Sequence, residues 1–291
     1  NHVCALCVEN GLQIEIPDRA KVIRVIMDEL TRIASHELWW GDMAMDIGAF
    51  TPFFHAFRER ETINDIMEET CGARLTMNYF VPGGLMADLH PDFQQKVKSF
   101  ITLFKSKVDE YDELVTGNVI FRNRMKDVGI LSKEDAISFG CSGPTARGSG
   151  VSCDIRKLYP YEVYDKVQFD EVLETAGDSL ARYMVRLREM KQSVRIIEQL
   201  IDQIPEGDFQ AKTKAVLKLP KGEFYTRVET ARGEFGVYIV SEGGTTPYRI
   251  KFRSPGFSNL SALDHMARGS KLGDLVAMMG TLDLVIPDID R

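Results

Sequence analysis

The stretch that most limits what this chain can become is DRAKVIRVIMDELTRIASHELWW, 23 residues from Asp18 to Trp40. Val22, Ile26, Leu30 and Ile33 recur in it at helical spacing and make one apolar stripe, with Arg24, Asp28, Glu29 and Arg32 around it. Pro17 ends the preceding segment, and Asp18 is placed to cap the helix. Such a stripe has to be covered by other elements, and the first two thirds of the chain read as helices able to do so.

A second helix is expected through FFHAFRERETINDIMEE, starting near Thr51 and Pro52, where proline suits the first turn. A third covers DFQQKVKSFITLFKSKVDEYDELV, with Val97, Phe100, Ile101, Phe104 and Val108 on one face, and a fourth runs from about Ala176 to Ile204. FVPGGLMADL reads as a Pro-Gly-Gly loop, and GCSGPTARGSG as a tightly turning one. Beyond Pro205-Glu206-Gly207 the period changes from helix to strand in EFYTRVET, EFGVYIVSEGG and PYRIKFR, before a last helix near LGDLVAMMGTLDLV. The fold class expected is mainly α with a small antiparallel β region. It reads as a single domain over 1–291: a helical bundle over 1–210, the β region as an appendage over 211–258, and a C-terminal helix and tail over 259–291.

Hydrophobic residues at 44% and charged ones at 27% are the proportions of a folded soluble chain. A net charge of -7 argues against nucleic-acid binding, which calls for a basic face. No segment approaches the roughly 18 uncharged apolar residues of a membrane span. There is no signal peptide, and Asn1 in place of Met suggests a missing upstream portion. Five cysteines make no disulfide framework and point to a reducing compartment.

Cys4 and Cys7, in NHVCALCVEN, could be half a metal site, a redox couple, or two small apolar residues on one helical face. A zinc site needs two more ligands at similar spacing, and Cys71, Cys141 and Cys153 are each isolated. SGPTARGSG matches neither the Walker spacing nor GxGxxG before a helix, so Arg147 is its one residue with chemical potential. Asp46, among Met43, Met45, Ile47 and Phe50, is either a helix-end acid with a local hydrogen bond or a carboxyl with an upshifted pKa. His36 and His55 read as satisfied core histidines, and Arg58 to Glu61 as salt-bridged structure.

TPFFHAFRERE, CSGPTARGSG and the closing DR, with GGLMADL, FRNRMKDVGILSKEDAISFG and ETARGEFGVYIVSEGG between them, resemble the D (49 kDa) subunit of respiratory complex I over essentially the whole chain. That family is similar in fold to the large subunit of [NiFe] hydrogenases, which implies a helical bundle of that type, here without the family's N-terminal α/β portion. Those hydrogenases hold nickel with two Cys-x-x-Cys pairs, whereas DLVIPDIDR at the end of this chain has no cysteine. Cys4 and Cys7 therefore read as helix packing, and no metal or cofactor is expected on this chain.

The resemblance implies a subunit of a proton-pumping NADH:quinone oxidoreductase, inactive alone, that forms the quinone-headgroup pocket with the B subunit. Quinone is then the substrate, beside a [4Fe-4S] cluster that B holds. The C subunit and membrane-arm subunits are further partners, on the cytoplasmic side of the bacterial inner membrane. The rivals are the equivalent subunit of a ferredoxin-driven or hydrogenase-related complex, and a purely structural assembly protein. Asp46 matches the aspartate that supports a quinone-site histidine; that histidine and a tyrosine belong to upstream motifs absent here. Arg147, Gly148, Ser149 and Gly150 match a segment near the B-subunit interface, and Val285 and Asp290 match lining of the quinone cavity. Thr76 stands where many members have a histidine near the cluster, and Val81 where an arginine precedes Pro-Gly-Gly. Losing those groups should lower the cluster potential and weaken its pH dependence, pointing to the lower-potential menaquinone. A midpoint with a clear slope between about pH 6 and 8 would count against that expectation.

Overall fold

The computed structural model describes residues 1–290; Arg291, half of the closing Asp-Arg pair, lies outside the described residues. Helix α1 is His2–Leu12 and α2 is Asp18–Asp46, followed by α3, Thr51–Cys71. At 29 residues α2 is about 43 Å long, carrying the helical pattern six residues past Trp40. Pro17, not Asp18, is its N-cap: Asp18 is the first helical residue and makes no side-chain cap. Pro52 sits in the first turn of α3 as expected, its missing N–H being one that no helix would use there. The Pro-Gly-Gly loop is the turn of a minimal hairpin, β1 Phe80–Val81 against β2 Gly84–Leu85.

Helix α4 covers Phe93–Tyr111 and passes into a π turn, Asp112–Thr116. Four short helices follow: α5 Val119–Met125, α6 Lys133–Ser138, α7 Gly143–Arg147 and α8 Ile155–Leu158. They were not legible as periodic runs because none is long enough to repeat a stripe. Asn118, Ser132 and Asp154 start three of them by accepting backbone N–H bonds. The glycine-rich loop is thus partly helical, and α7 is buried throughout. Helix α9 is Ser179–Leu200, capped by Asp178.

Strands β3 Gly222–Thr230, β4 Gly233–Ser241 and β5 Arg249–Arg253 form an antiparallel meander. Helices α10 Pro255–Ser261, α11 Leu263–Ala267, α12 Leu272–Leu282 and α13 Ile286–Ile289 complete the chain. The main core joins α2, α3, α4 and α9, with Trp40, Phe100, Phe104, Tyr111 and Tyr183 enclosed at its centre. Helix α12 packs on α2 and α9.

The β region packs against the first helix. Val3, Leu6 and Cys7 of α1 pack on Val228, Val237 and Ile239 in a second core. Cys7 is fully buried there, and its thiol donates to the Val237 carbonyl oxygen at 3.8 Å. The pair at Cys4 and Cys7 thus faces a sheet, as helix packing requires.

Candidate functional site

Three charged residues of α2 do not surround its stripe in solvent: Arg24, Glu29 and Arg32 are buried, so the helix is enclosed on nearly every side. Asp28 lies half-buried between them. Arg24 reaches Glu9 at 2.7 Å and Glu162 at 2.8 Å. Glu29 accepts from Arg156 at 3.0 Å, from the Tyr164 hydroxyl at 2.7 Å and from the Ser193 hydroxyl at 2.6 Å. Arg156 also reaches Glu189 at 3.0 Å and Asp154 at 2.7 Å. These carboxylates satisfy buried guanidiniums that would otherwise be prohibitive.

Arg147 belongs to this cluster. It donates to Glu189 and to Glu229, both at 2.7 Å, and its side chain is about 1% exposed. Burial opposes ionisation of Glu189, but Arg147, the His36 hydrogen bond and Arg156 outweigh it and hold the carboxyl well below its ordinary range. Glu229 fares worse: burial dominates, Arg147 only partly offsets it, and the group is pushed up to about 7. His36 is enclosed with Nε2 at 2.8 Å from Glu189, and burial lowers its pKa.

Glu229 also faces a cleft of about 590 Å³. One side is α1 and α2, through His2, Cys4, Asp28, Arg32 and Ser35. The others are the segment Leu75, Thr76 and Met77 with Phe80, and the β3–β4 hairpin from Val228 to Arg232 with Phe235. Asp288 is the cleft's one contribution from the C-terminal tail among the described residues. Apolar side chains and fixed polar or charged groups line it in similar number. His2 is held between Asp28 at 2.6 Å and Glu162 at 3.0 Å. Burial disfavours its charge, but the two carboxylates raise its pKa to about 9. Arg32 donates to the Glu229 carbonyl oxygen at 2.7 Å, while its Nη1 has no partner among the described residues.

Asp46 lies elsewhere. It ends α2, eleven residues or about 16 Å beyond Ser35 on the cleft wall. There α12 passes close: a methyl group built on Gly280 would lie 3.9 Å from an Asp46 carboxyl oxygen. Trp39 secures that contact by donating to the Gly280 carbonyl oxygen at 2.6 Å. Asp46 is exposed and makes no ion pair among the described residues, yet partial burial and then Asp42 raise its pKa. An exposed aromatic face follows it, with Phe50 and Phe54 57% and 60% exposed and Phe53 stacked on Phe57 at 4.2 Å.

The residues singled out from the sequence do not converge. Gly148 packs against Arg182, and Ser149 donates to the Leu131 carbonyl oxygen at 2.8 Å, both inside the protein. Gly150 follows with its N–H bonded to the Arg147 carbonyl oxygen. Val285 caps α13 half-buried, and exposed Asp290 ends it. Thr76 does line the cleft, and Val81 sits in β1. Sequence reasoning passed over His2, Arg32, Glu229 and Arg232; mixed charges at Arg24, Asp28, Glu29 and Arg32 were the available signal, and they look like a solvated face. His55 faces Glu110 at 3.2 Å, and Arg58 pairs with Glu59 at 2.6 Å, so that charged stretch is ion-paired. Among the described residues no group of three or more His, Cys, Asp or Glu is placed to hold a metal ion, and no described helix is long and apolar enough to cross a membrane.

The family described as respiratory-chain NADH dehydrogenase, 49 kDa subunit, matches residues 46–219 and 209–291. A Bacteroides fragilis protein named as the C/D subunit of NADH-quinone oxidoreductase is 56% identical over 290 residues, covering 100% of this chain and 55% of that protein. One from Solibacter usitatus, named as the second D-type subunit of NADH-quinone oxidoreductase, is 50% identical over 286 residues, 98% of this chain and 77% of that protein. The corresponding D-type subunit from Desulfotalea psychrophila is 46% identical over 291 residues, 100% of this chain and 78% of that protein. The chain thus spans about half the length of the C/D relatives it matches.

Proposed function

The chain belongs to the 49 kDa subunit family of respiratory-chain NADH dehydrogenase, and on that premise we propose that it forms part of the quinone-headgroup pocket of a proton-pumping NADH:quinone oxidoreductase. It acts only in the assembled complex, at the cytoplasmic side of a bacterial inner membrane. The B, C and membrane-arm subunits are its partners. The observation that carries this reading is Asp46: a carboxyl with a raised pKa and no ion pair among the described residues, set on a helix end beside exposed aromatic rings. Quinone or partner would cover that face.

The electrons come from a [4Fe-4S] cluster held by the B subunit, so this chain needs only to position quinone and manage protons. Asp46 lies at the negative end of the α2 dipole, which adds to the pull on a proton or on a cationic neighbour. It orients an upstream histidine toward the headgroup. Val285 and Asp290 line the cavity from the C-terminal side. Arg147, with Gly148, Ser149 and Gly150, acts from inside, holding Glu229 at the cleft wall where Thr76 faces the B subunit.

The test is Asp46→Asn in the full-length subunit, with assembly of the complex checked. Quinone reduction should fall at least about tenfold while NADH oxidation by an artificial acceptor survives. Unchanged quinone reduction in an assembled complex would reduce Asp46 to a packed acid and sink the proposal.

A further inference from the structure

Glycine is the least favourable helix residue apart from proline, because it gives up the most backbone freedom on folding. Gly280 nevertheless stands in the last turn of α12, where its φ is not one that calls for glycine. Crowding does not exclude a side chain there either. A methyl group built on Gly280 would lie 3.4 Å from Met43 Cγ, 3.9 Å from Met43 Cβ and 3.9 Å from an Asp46 carboxyl oxygen, all ordinary van der Waals contacts. Alanine would fit and would favour the helix, so neither packing nor backbone geometry accounts for the glycine.

What the missing side chain leaves bare is one flank of the Asp46 carboxyl, and the width of that flank is fixed from behind. Trp39, two turns before Asp46 on α2, donates to the Gly280 carbonyl oxygen at 2.6 Å. Arg186 of α9 lies over the Trp39 ring at 4.7 Å and donates to the Thr281 carbonyl oxygen at 2.8 Å. The last turn of α12 is thus clamped to α2 and α9 and can neither close on Asp46 nor drift away from it. The charged groups nearby are few. Asp42, on α2, is the one whose charge acts on Asp46. Helix α12 carries no titratable side chain from Leu275 to Leu282, with Asp274 in its first turn and Asp283 just past its end turned to Arg232 at 3.0 Å. On α3 His55 is turned to Glu110 at 3.2 Å, on α5 Arg124 donates to the Gly273 carbonyl oxygen at 2.8 Å, and on α9 Arg182 is held by Gly177 and Ser179.

We propose that Gly280 is a positioning residue for Asp46: lacking a side chain, it keeps the α12 flank of the carboxyl open to an O–H or N–H hydrogen-bond donor. A carboxylate holds its charge where donors reach it and loses it where apolar atoms take their place. Gly280 thereby sets how readily Asp46 takes up a proton, at the expense of helix stability. The use of that setting rests on the quinone reading above, in which Asp46 orients a histidine at the headgroup.

The test follows the Asp46 carboxyl in the assembled complex, with the full-length subunit carrying Gly280→Ala or Gly280→Ser. Its infrared carbonyl band is the one lost in Asp46→Asn, and it is titrated with pH. In Gly280→Ala a methyl occupies the donor's flank, and the midpoint should rise by about half a pH unit or more, roughly threefold in the ionised fraction below it. In Gly280→Ser a hydroxyl on the same carbon can donate to the carboxyl, so the midpoint should return to the parental value or fall below it. The Gly280→Ala complex should be at least as heat-resistant as the parent, whereas a merely structural glycine would leave the Asp46 midpoint where it was. The acid limb of quinone reduction should follow the midpoint, with NADH oxidation by an artificial acceptor unchanged. A Gly280→Ala complex of lower heat resistance, or one with the parental midpoint, would overturn the inference whatever quinone reduction does. A shifted midpoint with an unaltered quinone-reduction profile would uphold Gly280 and overturn instead the part given to Asp46 in quinone chemistry.

Discussion

Replacing Arg147 by methionine should expose how the buried charges are balanced. The side chain is enclosed between Glu189 and Glu229, each 2.7 Å away, and removing it leaves two buried carboxylates without that cation. Breaking a buried pair costs about 3–5 kcal/mol. The low end, about 3 kcal/mol, applies here because Glu189 keeps Arg156 at 3.0 Å and His36 at 2.8 Å. Among the described residues Glu229 keeps the Ile155 N–H as a donor at 3.2 Å, with the charges of Arg156 and Arg32 still favouring its ionised form. Its folded pKa, already raised from 4.5 to about 7, must rise further. A raised folded pKa means stability is present below the unfolded value and lost as pH climbs to the folded one. In the parent that loss ends near pH 7, whereas in the variant it continues, by about 1.4 kcal/mol for the next pH unit. Urea unfolding of the purified chain at about pH 6, 7 and 8 measures this. Adding Glu229→Gln to Arg147→Met should abolish the extra slope. A cost under about 1 kcal/mol, or a slope unaffected by Glu229→Gln, would show that the cluster is not balanced as argued.

Other perturbations have equally definite outcomes. Gly143 and Gly140 both have φ in the left-handed region, at 62° and 66°, so alanine at either costs about 1 kcal/mol. At Gly143 the new methyl would also lie 2.4 Å from the Gly233 Cα and 2.5 Å from the Arg232 carbonyl oxygen, adding about 1–3 kcal/mol; nothing lies within 4 Å at Gly140. Equal thermal shifts for Gly143→Ala and Gly140→Ala would refute the close approach of α7 to the hairpin. For His2, whose folded pKa is raised from 6.5 to about 9, the stabilisation is fully present below pH 6.5 and disappears as pH rises through 9. Denaturation midpoints of His2→Gln should lack that decline, and an identical decline in both proteins would assign it to other groups.

The local pattern of the chain determined a good deal. Periodicity located α2, α3, α4 and α9, because a stripe of Val22, Ile26, Leu30 and Ile33 must be buried whatever covers it. Alternation and turn residues located the three-stranded meander, and the pattern of motifs pointed to the family. What periodicity cannot report is a partner distant in sequence. Glu29 meets Arg156 across 127 positions and Arg147 meets Glu229 across 82. A charge is therefore read locally as solvated even where a counter-charge from afar lets it sink into the core. That is why Arg24, Glu29 and Arg32 changed sides, and why Arg147 proved to be a strut behind the cleft wall. Asp46 moved the other way: read from apolar neighbours in sequence, it stands exposed where α2 ends, with α12 passing beside it. Which charges are buried is a property of non-local pairing, and only the tertiary structure could decide it.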